Sequence, residues 1–191
     1  MPATALDSRT ALVVIDLQRG LSQVPCVHPF QEVVANTVRL AEAFRRVGLP
    51  VVLVTVSFSP DGGDRLRSRT QVPARPIPNA PEFTQLVPEL GPKPGDLLIT
   101  KHQWSAFYGT ELDLQLRRRQ VTGIVLAGVA TSIGVDTTAR AAHERAYNLT
   151  FASDAMTDTD LAAHDFAMSK IFPRIGEVDT TDALLALLGR G

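Results

Sequence analysis

A doubly wound three-layer α/β/α sandwich, with a mainly parallel sheet of five to six strands, is the fold this sequence predicts. Two observations predict it. Five short runs rich in β-branched residues, at 11–15, 51–56, 96–100, 123–127 and 150–152, carry apolar side chains at both parities. That is the pattern of strands buried on both faces, as in a parallel sheet covered by helices. Between the runs lie amphipathic helical stretches, and alternating strands and helices lead to a parallel sheet with right-handed crossovers. The 191 residues, 45% of them hydrophobic, suit one domain over 1–191 with a sizeable core.

The elements follow in order. Residues 11–15 form the first strand and run straight into Asp16. Residues 30–47 form a helix with Val33, Val34, Val38, Leu40, Ala41 and Phe44 on one stripe, stopped by Gly48-Leu49-Pro50. The second strand, 51–56, is followed by an excursion over 57–94 that holds more than half of the chain's prolines, together with Arg65, Arg67, Arg69 and Arg75. A connection of that length in a compact domain is usually functional or disordered. Two readings stand: a lid over the strand ends or a surface against another subunit, and a solvated loop without a role. Strand 96–100, helix 110–119, strand 123–127, helix 136–146, strand 150–152 and helices 159–172 and 180–188 complete the alternation.

Composition excludes several function classes. A net charge of −1 gives no basic field for nucleic acid. One cysteine allows no internal disulfide and fits a reducing compartment. Met1-Pro2-Ala3-Thr4-Ala5 opens no basic-then-apolar leader, and no apolar run approaches the roughly 20 residues of a membrane span. A soluble cytoplasmic protein is the expectation, with no nucleic-acid or membrane partner. Apolar helices and the long excursion favour a homo-oligomer, dimer or tetramer.

In an open α/β sheet, ligands bind outside the carboxyl ends of the strands. Three such places carry chemistry. Asp16 ends the first strand, with Gln18 on the same face as an orienting donor; a strand-end Asp that merely caps a loop is the alternative. Lys101 follows the third strand and precedes His102-Gln103-Trp104-Ser105-Ala106-Phe107-Tyr108. There Trp104 and Phe107 either line a pocket for a planar or carboxylated molecule or pack into the core. After the fourth strand comes Gly128-Val129-Ala130-Thr131-Ser132-Ile133-Gly134, a turn into an Ala- and Thr-rich helix. It lacks the Lys-Ser/Thr of a phosphate-binding loop. The histidines, His28, His102, His143 and His164, are scattered without ligand spacing, and His143 and His164 are expected at the surface of helices. No metal and no cofactor are expected. A receiver or flavin-binding protein shares the coarse pattern, but the acidic cluster of a receiver is missing after the first strand.

Together these segments resemble the isochorismatase-like hydrolases, also called cysteine hydrolases. The matching motifs are Val14-Ile15-Asp16-Leu17-Gln18, Lys101 ahead of Ser105-Ala106-Phe107, and Gly128-Val129-Ala130-Thr131, with Thr138-Ala139-Arg140 and Ser153-Asp154-Ala155 downstream. The likeness covers nearly the whole chain. It implies catalytic roles for Asp16, Lys101 and position 134, and substrate contacts at Gln18, Trp104, Phe107, Ala130 and Thr131. It also implies a cis peptide before Ala130. The amidase branch attacks a carbonyl with a cysteine at the position of Gly134, and glycine closes that route. Cys26, in a distant loop, is a bystander or, less simply, a substitute nucleophile. The metal cluster common after the second strand of amidases has no counterpart in Thr55-Val56-Ser57-Phe58-Ser59-Pro60-Asp61. True isochorismatases, which cleave a vinyl ether without a covalent intermediate, fit better. The resemblance therefore implies a hydrolase acting on a small carboxylated substrate, with Asp16 as general acid and Lys101 pairing a substrate carboxylate. An amide or other C–N hydrolase using activated water and a catalytically silent binding member are the alternatives.

Overall fold

Strand β1 (Thr10–Ile15) is buried along its whole length, and every other element is arranged around it. The computed structural model describes residues 2–72, 78 and 80–189. Five further strands follow: β2 (Val51–Val56), β3 (Leu97–Lys101), β4 (Gly123–Val129), β5 (Asn148–Thr157) and β6 (Glu177–Asp179). They form one sheet in the order β3-β2-β1-β4-β5-β6. All five pairings are parallel.

Side chains alternate along each strand, so the sheet has two apolar faces. Leu12, Val14, Leu53 and Val125 pack against Val33, Leu40 and Phe44 of α1 (Phe30–Arg46) and, beyond a short α2 (Pro81–Thr84) in the excursion, Leu184 of α7 (Thr181–Leu188). Val13, Ile15, Val54 and Leu126 pack against α3 (Leu112–Arg118), α4 (Asp136–His143) and α6 (Phe172–Ile175) on the other face. The expected sandwich is present, with six strands. The fifth strand is longer than its three-residue apolar core suggested, because Ser153 and Asp154 interrupt the hydrophobic pattern without ending the pairing: β5 shifts register against β4 between Leu126 and Gly128 and continues to Thr157. The expected helix 159–172 is divided into α5 (Leu161–Phe166), a wide turn over Ala167–Ile171, and α6.

The excursion is tied down at both ends. Leu86 bridges Gln18 antiparallel, Arg19 N donates to Gln85 O (2.8 Å) and Val87 N to Leu17 O (3.0 Å). Near its start, Ser57 N donates to Lys101 O (3.1 Å), and Arg65 lies over the Phe58 ring at 4.3 Å. Residues 73–77 and 79, Arg75 among them, lie outside the described residues.

Candidate active site

In this strand order the chain leaves β1 towards β2 on one side and returns at β4 on the other. The crevice between the carboxyl ends of β1 and β4 is the switch point where such sheets bind ligands. Asp16 stands directly there. Its φ of 52° is left-handed, a conformation Asp tolerates better than most residues, and it turns the chain sharply off the strand. Opposite it, Gly128 is paired with Ile15, and its φ of 115° with a virtual Cβ only 2.0 Å from Ile15 O leaves no residue but glycine room. The two strands thus close tightly just below the site.

Lys101 arrives from β3, two strands away, and its Nζ lies 2.7 Å from Asp16 Oδ2 and donates to Gln103 O at 3.1 Å. Side-chain exposure is 3% for Lys101 and 8% for Asp16, so the pair is nearly dry. The other carboxyl oxygen, Asp16 Oδ1, is buried and has no hydrogen-bond partner among the described residues. Burial pushes the Asp16 carboxyl above its ordinary value, and the adjacent Lys101 ammonium opposes this only in part. Desolvation wins because only one oxygen is compensated.

Gly134 completes the group. A Cβ built on it would lie 3.0 Å from Ile15 Cγ2, 3.3 Å from Val129 O and 3.5 Å from Asp16 Oδ2. The structure therefore brings Asp16, Lys101 and Gly134 together from the ends of three strands. The Val129–Ala130 peptide is cis, and Ala130, partly exposed, opens the turn. The turn's amides are less available to an anion than its position at a helix start suggests. Ser132 N donates to Asp158 Oδ2 (2.7 Å), and Ile133 N and Val135 N both donate to Ala130 O (3.1 Å each).

The remaining sequence candidates divide. Gln18 is fully buried, with Oε1 accepting from Val56 N (2.7 Å) and Nε2 donating to Val56 O (3.1 Å) and Phe83 O (3.3 Å). Its amide staples the excursion to the end of β2 and has no free face for a substrate. Trp104 is exposed. Phe107 is not at the site mouth: it is buried in the core with its ring 5.9 Å from that of Tyr147, the residue just before β5, towards the amino ends of the strands. Ala106 beside it is buried too, its N donating to Thr138 Oγ1 of α4 (3.0 Å). Thr131 is buried, with Oγ1 2.9 Å from His164 Nδ1. His164 is thus a correction: it is only 5% exposed, not a surface residue, because α5 packs on the 131–135 turn. Neither His164 nor Asp158 stood out in the sequence. The one available signal for Asp158, a carboxylate at a strand end, was hidden because the strand could not be followed past residue 152.

Among the described residues no group of three or more His, Cys, Asp or Glu side chains is placed to hold a metal ion, and no helix is long and apolar enough to cross a membrane. Two surface hollows, of about 700 and 460 Å³, lie at the opposite, amino-terminal edge of the sheet around Arg9 and Gly123.

The isochorismatase domain family matches residues 10–183. The chain belongs to the isochorismatase family. An isochorismatase family protein of Bacillus subtilis strain 168, YwoC, is 43% identical over 181 residues, 93% of each chain. The solved structure of an isochorismatase family protein from Burkholderia thailandensis is 47% identical, superposes with a TM-score of 0.94, and covers 97% of this chain and 98% of that one. The N-carbamoylsarcosine amidase of Thermoplasma acidophilum is 30% identical, with a TM-score of 0.76 over 91% of this chain and 97% of that one.

Proposed function

We propose that this isochorismatase-family hydrolase cleaves a small carboxylated vinyl ether, with Asp16 as general acid and no covalent enzyme intermediate. The observation that carries the reading is the Asp16 carboxyl itself: buried, raised in pKa, with Oδ2 held by Lys101 and Oδ1 without a hydrogen-bond partner among the described residues. An acid that must be protonated near neutral pH needs such an environment. The protonated carboxyl gives its proton to the terminal alkene carbon of the substrate, which becomes a methyl group. The ether carbon becomes an oxocarbenium ion. Water adds to it, and the resulting hemiketal collapses to a ketone and an alcohol, returning a proton to Asp16. Lys101 has three N–H donors, two of them aimed at Asp16 and Gln103, and the third is suited to a substrate carboxylate. Gly134 supplies no nucleophile, and its lack of a side chain keeps the approach to Asp16 free of a β-carbon.

A second reading is hydrolysis of a C–N bond by water that ionised Asp16 activates. The 30% identity to N-carbamoylsarcosine amidase favours it. A silent binding member is the third reading. One assay panel separates them: isochorismate and simpler vinyl ethers against simple amides, with product analysis, for the parent and Asp16→Asn. Vinyl ether hydrolysis by the parent and a loss of about 10²–10⁴-fold in Asp16→Asn with binding retained support the proposal. Parental turnover in Asp16→Asn refutes it. Amide hydrolysis alone moves the assignment to the second reading, and ligand binding without turnover moves it to the third.

A further inference from the structure

We propose that Asp158 and His164 are positioning residues of this hydrolase, which hold the 130–134 turn from behind so that Gly134 stays in register with Asp16. The inference rests on Asp16, Lys101 and Gly134 being the reacting site.

Two consecutive residues of the turn are held by two different elements. Asp158, just past the end of β5, accepts the Ser132 amide at Oδ2 (2.7 Å) and the Thr159 amide at Oδ1 (2.7 Å). Its backbone carbonyl accepts from Val27 N (2.8 Å), which ties the loop before α1 to the same point. His164, on α5, bonds the Thr131 hydroxyl through Nδ1 (2.9 Å) and meets the His28 ring edge-on at 4.7 Å. His28 N in turn donates to Thr157 Oγ1 (3.0 Å). Asp158 is 2% exposed and His164 5%.

Burying a carboxylate and an imidazole is unfavourable compared with apolar residues of the same size. What they add is direction: a hydrogen bond fixes both distance and angle, whereas an apolar contact lets a turn slide. The site needs that direction. Gly134 follows Ser132 by two residues, and its virtual Cβ is already 3.0 Å from Ile15 Cγ2 and 3.5 Å from Asp16 Oδ2. There is no slack on this side, so a shift of about 1 Å in the turn changes what fits against Asp16, and misplacements of that size cost on the order of 10²-fold in rate.

His164 also makes the hold sensitive to acid. The groups facing it are His28 from the loop before α1, Asp158 from the end of β5 and Asp165 from its own helix. Burial, aided by His28, keeps its pKa below the ordinary histidine value against the two carboxylates. The neutral ring can accept the Thr131 hydroxyl proton at Nδ1, whereas the imidazolium can only donate and forces that proton elsewhere.

The test uses a reporter independent of substrate. In a Gly134→Cys, Cys26→Ser protein, the introduced thiol sits beside Asp16 and Lys101, and its alkylation rate by iodoacetamide across pH reads its placement. Asp158→Ala and His164→Leu in that background are expected to change the rate by about 10-fold, a thiol being that responsive to neighbouring charge. His164→Asn, whose amide can take the place of Nδ1, is expected to keep it. Asp158→Asn, which retains one acceptor, serves if the alanine variant does not fold, and thermal melting establishes which variants are folded. In the Gly134 protein, with isochorismate as probe, Asp158→Ala and His164→Leu are expected to lower kcat by about 10²-fold with KM little changed. There His164→Asn should restore kcat and remove the acid limb that His164 imposes. Folded variants that leave both the thiol rate and kcat at parental values overturn the positioning role. A parent inert towards isochorismate and the simpler vinyl ethers whose thiol rate still responds refutes the vinyl ether reading and upholds the positioning.

Discussion

Gly134→Ala adds one methyl group where the proposed mechanism uses space, and its effects on stability and activity separate. The methyl carbon would stand 3.0 Å from Ile15 Cγ2, 3.3 Å from Val129 O and 3.5 Å from Asp16 Oδ2. Unstrained carbon contacts lie at about 3.5–4.0 Å, so the Ile15 methyl must give way by a few tenths of an ångström. Overpacking of this kind costs about 1–3 kcal/mol. Gly134 lies within the helical turn Thr131–Val135 and not at a left-handed φ, so alanine returns about 1 kcal/mol through its helical preference. The net cost is about 0–2 kcal/mol, a fall in Tm of at most about 8 °C for a chain of this length. Activity is affected much more. Reacting atoms must approach to about 3–3.5 Å, and the new methyl occupies that shell on one side of Asp16, so kcat/KM should fall by about 10²-fold or more. Circular dichroism melting alongside turnover of isochorismate measures both. A variant that melts as expected and keeps the parental kcat/KM would show that substrate does not use the space at Gly134, and the assignment of this face to the reaction would be wrong.

Three further outcomes follow from the geometry. Alkylating the single cysteine, Cys26, which is half-buried in the loop before α1, should leave turnover largely intact; inactivation that tracks Cys26 labelling and is prevented by substrate would reverse the account of the missing nucleophile. Lys101→Ala should raise KM for carboxylated probes, and it should move the alkaline limb of the pH profile. The sign is upward: in the proposed mechanism Asp16 works protonated, activity is lost as pH rises through its raised pKa, and the ammonium is what lowers that pKa, so removing it extends activity to higher pH; a limb that stays put or moves down counts against Asp16 as the acid. Gln18→Leu leaves the N–H and C=O of Val56 without their side-chain partner in the interior, at about 1–3 kcal/mol for each group left unsatisfied, so a Tm within a degree of the parent would contradict its role as a staple.

Local patterning made much of this protein legible. Runs such as Val51–Val56, apolar at every parity, could only be strands covered on both sides, and the Gly48-Leu49-Pro50 stop marked the end of α1 within a residue or two. The candidate site was legible where charge coincided with a strand end: Asp16 and Lys101 each break an apolar run, and the fold brings the two together. It was illegible where residues meet across the sheet. Phe107 looks equally suited to a pocket or a core, and only the packing of its ring beside Tyr147 decides. His164 occupies an ordinary helical position and is buried only because α5 lies on the turn after β4.

The sequence by itself determined the alternation of strands and helices, the absence of a thiol at position 134 and the charges that end β1 and β3. These depend on period and residue type, which are local. The tertiary structure alone decided that Lys101 holds one oxygen of Asp16 and not the other, that Gln18 is a staple, and that Asp158 and His164 stand behind the turn. Each of these joins residues at least 26 positions apart, from Ser132–Asp158 to Asp16–Lys101. Contacts of that kind leave no periodic trace, because they are set by strand order and register, and these are fixed only when the sheet assembles.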